Sequence, residues 1–189
     1  MMQNLWQKKP KLNYSKDVFD IVQFGSSIFE DSKPNDIDIA VIFNKIPLKE
    51  QLNQAQEIKK QLQKYSELPI HTNSFDFYSL FESSNFARNG ILFYGKSIIS
   101  GEPFSKKLGI MPKLQILYSL RDLEKKDKIR FNYLLNGKSG KYGLIKQYGG
   151  KIVAPGIIEI STENEKAFFE PMKKITSSIK IRRIFETQD

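Results

Sequence analysis

Asp36 and Asp38 stand two residues apart at the head of an apolar run, Asp36-Ile37-Asp38-Ile39, that continues to Phe43. Strand side chains alternate between faces, so the two carboxylates emerge together while Ile37 and Ile39 point the other way. Two acids crowded on an apolar strand repel each other and lose hydration. A shared divalent cation relieves both, and Mg²⁺ (or Mn²⁺) is a hard ion that takes carboxylate and phosphate oxygens. The triplet Gly25-Ser26-Ser27 precedes them, at the end of another strand-like run. Gly25 lets the backbone approach a phosphate closely. Ser26 and Ser27 would open a short helix, whose amides and hydroxyls bind phosphate oxygens. An NTP held there would present its metal to Asp36 and Asp38.

This pairing resembles the nucleotidyltransferase superfamily that includes DNA polymerase β, CCA-adding enzymes, poly(A) polymerases and small bacterial and archaeal nucleotidyltransferases. The likeness covers about residues 15–105. It rests on Gly25 and Ser26 followed by Asp36 and Asp38. The later segment NFARNGILFYGKSI is similar to the short helix and strand that close the minimal nucleotidyltransferase domain. That family takes a third carboxylate from a later strand, and the position falls here on Asp76, within Phe75-Asp76-Phe77. The bland reading of Asp76 is a strand-end acid or a local turn partner for Ser74. The resemblance implies an α/β core with a mixed β-sheet flanked by helices. It implies Asp36, Asp38 and Asp76 as catalytic metal ligands, Mg²⁺ or Mn²⁺ as the cofactor, and Gly25, Ser26 and Ser27 around an NTP. The reaction would be an in-line displacement that releases pyrophosphate.

The elements that must position these residues are legible in outline. Asp17–Phe24 and Asp36–Phe43 read as strands, the second buried on both faces. Pro47–Glu67 carries Leu52, Ile58 and Leu62 at helical spacing and reads as an amphipathic surface helix. Ile70–Leu80 reads as a third strand, Asn85–Tyr94 as a short helix and Lys96–Ser100 as a short strand. Beyond Pro112, the stripe Leu114, Ile116, Leu117, Leu120 and Leu123 predicts a long helix. The charged run Glu124–Lys128 either interrupts it or marks a turn between two helices. Ile157–Ser161 reads as a strand. Thr162-x-x-Glu165 predicts a capping box opening a helix that ends or kinks at Pro171. Ile179–Phe185 alternates as a last strand.

Composition narrows the classes. The 189 residues include no cysteine and one histidine, His71. That excludes disulfides, thiolate metal sites and a cysteine nucleophile, and it excludes a multi-histidine metal centre within one chain. His71 reads as a surface or capped histidine ahead of a base. No apolar run reaches the ~20 residues of a membrane span, and the N-terminal stretch lacks a signal-peptide core, so the expectation is a cytoplasmic protein with no membrane partner. Residues 1–105 hold 12 Lys/Arg and 12 Asp/Glu, while residues 106–189 hold 18 and 9, so the whole net charge of +9 lies in the second part. Two domains are expected on that division: a catalytic one over 1–105 and a basic one over 106–189, helix-led and ending in a small α+β unit. A basic second half points to a polyanion, with a lysine-rich solvated surface as the plain alternative.

The loop GKSGKYG lacks the spacing Gly-x4-Gly-Lys-Ser/Thr, which excludes a Walker-type phosphate loop. Lys138, Lys141 and Lys146, with Tyr142 for stacking, can grip a nucleic-acid backbone or line an ordinary loop. Arg182 and Arg183 are neighbours on a strand, so at most one shares a surface with Lys180. Three functions stay open. The first is NMP transfer to a nucleic acid, RNA ahead of DNA, with a tRNA 3′ end among the candidates. The second is NMP transfer to a protein or small molecule. The third is a catalytically dead core that binds nucleic acid.

Overall fold

The run after Asp36 forms strand β2 (Ile37–Phe43), buried at every position but Asp38. The computed structural model describes residues 4–29 and 31–187. The chain divides into two units after Gly109. In the first unit, helix α1 (Leu5–Lys8) leads to β1 (Val18–Phe24), then β2, helix α2 (Leu48–Gln63), β3 (Ile70–Asp76), α3 (Arg88–Tyr94), β4 (Lys96–Ser97) and α4 (Phe104–Lys107). The sheet order is β3-β2-β1-β4. β1 runs antiparallel to β2 and β4, and β3 runs parallel to β2. A parallel neighbour requires a crossover, which α2 supplies.

Both faces of this sheet are covered. Ile37, Ile39 and Val41 pack on one face with Ala55, Ile58 and Leu62 of α2. Those three helical residues are spaced by three and four, one stripe of a 3.6-residue period; Leu52 lies off it and is exposed. Val22, Phe24, Ala40 and Ile42 pack on the other face with Ile91 and Leu92 of α3 and Phe104 of α4. The apolar burial of Phe104 keeps α4 with the first unit. Asp20 is buried within β1, where a lone carboxylate would be costly. Its Oδ1 accepts from Ser97 Oγ at 2.7 Å and from the Ile21 amide at 2.8 Å, and its Oδ2 lies 3.4 Å from Lys107 Nζ. This network ties β1 to β4 and α4.

The second unit comprises β5 (Ile110–Tyr118), α5 (Lys125–Asn136), the hairpin β6 (Gly137–Lys138) and β7 (Lys141–Tyr142), α6 (Leu144–Tyr148), β8 (Lys151–Ala154), β9 (Ile157–Ser161), α7 (Glu165–Lys173) and β10 (Ile179–Thr187). Its main sheet, β10-β5-β9-β8, is antiparallel throughout. Leu114, Ile116, Ile158 and Ile160 face Phe131 and Leu135 of α5 and Phe168 and Met172 of α7.

Here the sequence reading needs correction. The expected helix beyond Pro112 is β5. Leu114 and Ile116 are two residues apart, not three or four, and the buried pair follows strand alternation. Pro112 is tolerated inside β5 because only β10 flanks it there; pairing with β9 begins at Lys113. The helix itself starts at Lys125, inside the charged run. Further on, α7 begins at Glu165 after a 3₁₀ turn over Thr162–Asn164, with no side-chain cap, and continues past Pro171 to Lys173.

Candidate metal and nucleotide site

The antiparallel register of β1 and β2 sets Phe24 opposite Asp38, so the chain leaving β1 turns directly against that carboxylate. Gly25 makes the turn with φ +76°, the left-handed region that disfavours a side chain. A Cβ there would collide with Asp38 Oδ2 and lie 3.3 Å from its Cγ. The chain then forms a 3₁₀ turn over Gly25–Ile28. Ser26 is exposed on it. Ser27 is buried: its Oγ accepts from Gln23 Nε2 at 3.0 Å and donates to the Phe24 carbonyl at 3.3 Å. That inward engagement corrects the expectation that the Ser27 hydroxyl meets an NTP. Gln23 Oε1 also accepts the Leu5 amide at 2.9 Å, which anchors the base of the turn to α1.

Asp36 and Asp38 project on one side at the start of β2, and β3 adds a third group. In the parallel register Asp38 pairs with His71. His71 Nδ1 lies 3.1 Å from Asp36 Oδ2. One ligand atom from each of Asp36, Asp38 and His71 falls within 4.8 Å of the others, the one such group among the described residues. Burial raises the Asp38 pKa above the usual carboxylate value, the Asp36 charge raises it further, and His71 offsets part of this. Two partly buried carboxylates, one of them disfavoured in its charged form, and an exposed imidazole could hold a divalent cation.

Asp76 does not belong to this group. It pairs with Phe43, at the far end of β2 from Asp38. Five residues separate it from His71 along β3, about 17 Å of strand, and alternation sends the two side chains to opposite faces. Its Oδ1 accepts the amides of Tyr78 at 2.9 Å and Ser79 at 2.8 Å, so Asp76 caps the turn that ends β3. The structure thus places Asp76 apart from Asp36 and Asp38, against the expected third carboxylate, and brings His71 beside them instead. The signal was available: a strand returning parallel to β2 brings its start, not its end, beside Asp38.

The expected nucleic-acid residues lie in the second unit. Lys138 and Lys141 pair across the β6–β7 hairpin. Lys138 Nζ sits 5.1 Å from the Tyr133 ring centre and Lys146 Nζ 4.1 Å from that of Tyr142, which is itself 68% exposed. These cation–aromatic pairs hold basic and stacking groups together at the surface. Arg182 pairs across β10–β5 with Gln115, on the face away from the helices. Arg183 points the other way, off the surface that Arg182 shares with Lys180, and lies 3.5 Å from Glu165.

Comparison of the chain with protein-family models, with curated proteins and with solved structures finds no match. Among the described residues, no helix is long and apolar enough to cross a membrane.

Proposed function

We propose that the chain is a metal-dependent nucleotidyltransferase that moves NMP from an NTP to a nucleic-acid acceptor, RNA in preference to DNA. The observation that carries this reading is the seating of the Gly25 turn against Asp38, with Asp36 on the same face. The turn offers an exposed hydroxyl, Ser26, beside the two carboxylates. A Mg²⁺ or Mn²⁺ held by Asp36 and Asp38 would neutralise phosphate charge and polarise the phosphoryl group. The residues themselves would orient the triphosphate: the glycine lets the turn that carries Ser26 close against Asp38, and Gln23 and Ser27 stiffen the turn from below. An acceptor hydroxyl would then attack the α-phosphorus and give up its proton to solvent water. A phosphoester bond forms, the α–β anhydride breaks and pyrophosphate leaves. The acceptor backbone is assigned to the basic groups Lys138, Lys141, Lys146 and Arg182, with Tyr142 as a stacking platform.

The test is an extension assay with each labelled NTP, Mg²⁺ or Mn²⁺, and separate pools of tRNA, other RNA and primed DNA. Label entering RNA with the wild-type chain, and none with Asp38→Ala, supports the proposal. NTP binding with no labelled nucleic acid moves the acceptor to a protein or small molecule. A chain that binds RNA but no NTP would be a dead core, a reading that gains from the distance of Asp76.

A further inference from the structure

We infer that His71 is the third protein ligand of the cation held by Asp36 and Asp38, and that its nitrogen biases the site toward a first-row transition cation such as Mn²⁺ over Mg²⁺. The inference deepens the proposed function and rests on its placing a divalent cation at the two carboxylates.

Backbone geometry fixes the position of His71. The Ile37 amide donates to the Pro69 carbonyl at 2.9 Å, which locks the start of β3 against the start of β2. Asp38 and His71 are therefore side by side, and alternation turns them to the same face. The spacing also suits coordination. Two ligand atoms each about 2.1 Å from one ion and at right angles are about 3.0 Å apart. The His71 Nδ1 to Asp36 Oδ2 separation is 3.1 Å. An ion can thus replace the direct contact without moving either strand. The His71 side chain is exposed and that of Asp36 is 35% exposed, which leaves the ion a path in from solvent.

The donor set decides the metal. Mg²⁺ prefers oxygen throughout and sheds water reluctantly, so an imidazole adds little to its binding. Imidazole is a better donor to transition cations, whose affinities for mixed nitrogen and oxygen sites exceed those of alkaline-earth ions. An all-carboxylate site would not discriminate in this way. Among the described residues no third acid joins the group, and Asp76 is at the other end of β3.

The experiment uses the full chain with Mn²⁺ alone, without NTP. Bound Mn²⁺ is measured by electron paramagnetic resonance with Mg²⁺ as competitor, and a pulsed measurement reads nitrogen coupling to the bound ion. The expected result is nitrogen coupling in the wild type. In His71→Asp, which keeps three ligands but only oxygens, Mn²⁺ should still bind, the coupling should vanish, and the Mn²⁺/Mg²⁺ affinity ratio should fall about tenfold. Circular dichroism confirms that the variant folds, as a change at an exposed side chain should allow. Bound Mn²⁺ without nitrogen coupling, an unchanged ratio in His71→Asp, or no Mn²⁺ binding overturns the inference. The two claims fail separately. Nitrogen-coupled Mn²⁺ in a chain that binds no NTP and transfers no label sinks the nucleotidyltransferase reading and leaves the ligand assignment standing. Label transfer with no nitrogen coupling does the reverse.

Discussion

Asp38 carries an electrostatic cost that the fold alone does not relieve. Burial and the neighbouring Asp36 both raise its pKa, with His71 only partly compensating. An acid whose folded pKa lies above its unfolded value weakens the fold at higher pH, where it must ionise, and the penalty fades as pH falls toward the ordinary value of 3.8. Asp38→Asn should therefore raise Tm at pH 7 in the presence of a chelator. The expected gain is about 2 °C, modest because solvent screens a half-exposed group. It should shrink as pH falls toward ~4, as the wild-type carboxyl takes up its proton. Added Mn²⁺ should also erase it by stabilising the wild type alone. Thermal melts under the three conditions check this, and an unchanged Tm at pH 7 would contradict it. Asp76 makes the opposite case. Asp76→Ala removes the acceptor for two amides at the end of β3 and should cost about 0.5–2 kcal/mol of stability, as loss of a capping side chain does. Nucleotidyl transfer and Mn²⁺ binding should survive it. A transfer rate that collapsed while the fold persisted would restore Asp76 to the site.

At the scale of elements, the site depends on a turn more than on its serines. Gly25→Ala must place a Cβ where Asp38 Oδ2 now lies, at a φ that alanine disfavours. The carboxylate has to swing away, so Mn²⁺ affinity and transfer should each fall about tenfold or more, the range typical of disturbed metal ligation. Ser26→Ala adds no clash and should keep metal affinity while weakening NTP binding. Equal effects of the two variants on metal affinity would refute the turn's role. Gly25, Asp36 and Asp38 were legible in the sequence because strand alternation and a glycine turn are local rules. Asp76 was misplaced because the residue beside Asp38 is set by register with His71, 33 positions on, and the aromatic frame Phe75-Asp76-Phe77 drew attention to the wrong end of β3 although the helix between the strands pointed to a parallel return. The same limit explains β5. Its leucine stripe fits helical and strand periods together, and only pairing with β9 and β10 decides between them. The sheet of the first unit was easier, since β2 is apolar on both faces and α2 is long and clearly amphipathic.

For the whole molecule, charge is the informative quantity. Residues 110–189 hold 16 Lys/Arg against 9 Asp/Glu, so +7 of the net +9 lies in the second unit. A charge excess of this kind binds a polyanion by releasing counterions, and the affinity must then fall steeply with salt. Each phosphate contact to a single strand contributes roughly 0.7 to the slope of log affinity against log salt. The double variant Lys138→Ala/Lys141→Ala removes the pair at the tip of the β6–β7 hairpin, where each is exposed. It should lower that slope by about 1.4 if both lysines meet phosphates. Tyr142→Ala should weaken binding with little change of slope, because stacking releases no ions. Arg183→Gln serves as the internal control: its partner is Glu165, so it should leave the slope untouched and alter only stability, by less than about 1 kcal/mol for an exposed pair. Fluorescence titrations of the full chain with a labelled RNA oligonucleotide across salt concentrations measure all four proteins. A wild-type affinity that does not change with salt would mean that the lysines form a solvated surface and that the acceptor is not a nucleic acid. A slope lowered only by Arg183→Gln would mean that RNA lies along the helix-facing side of β10 instead of on the hairpin.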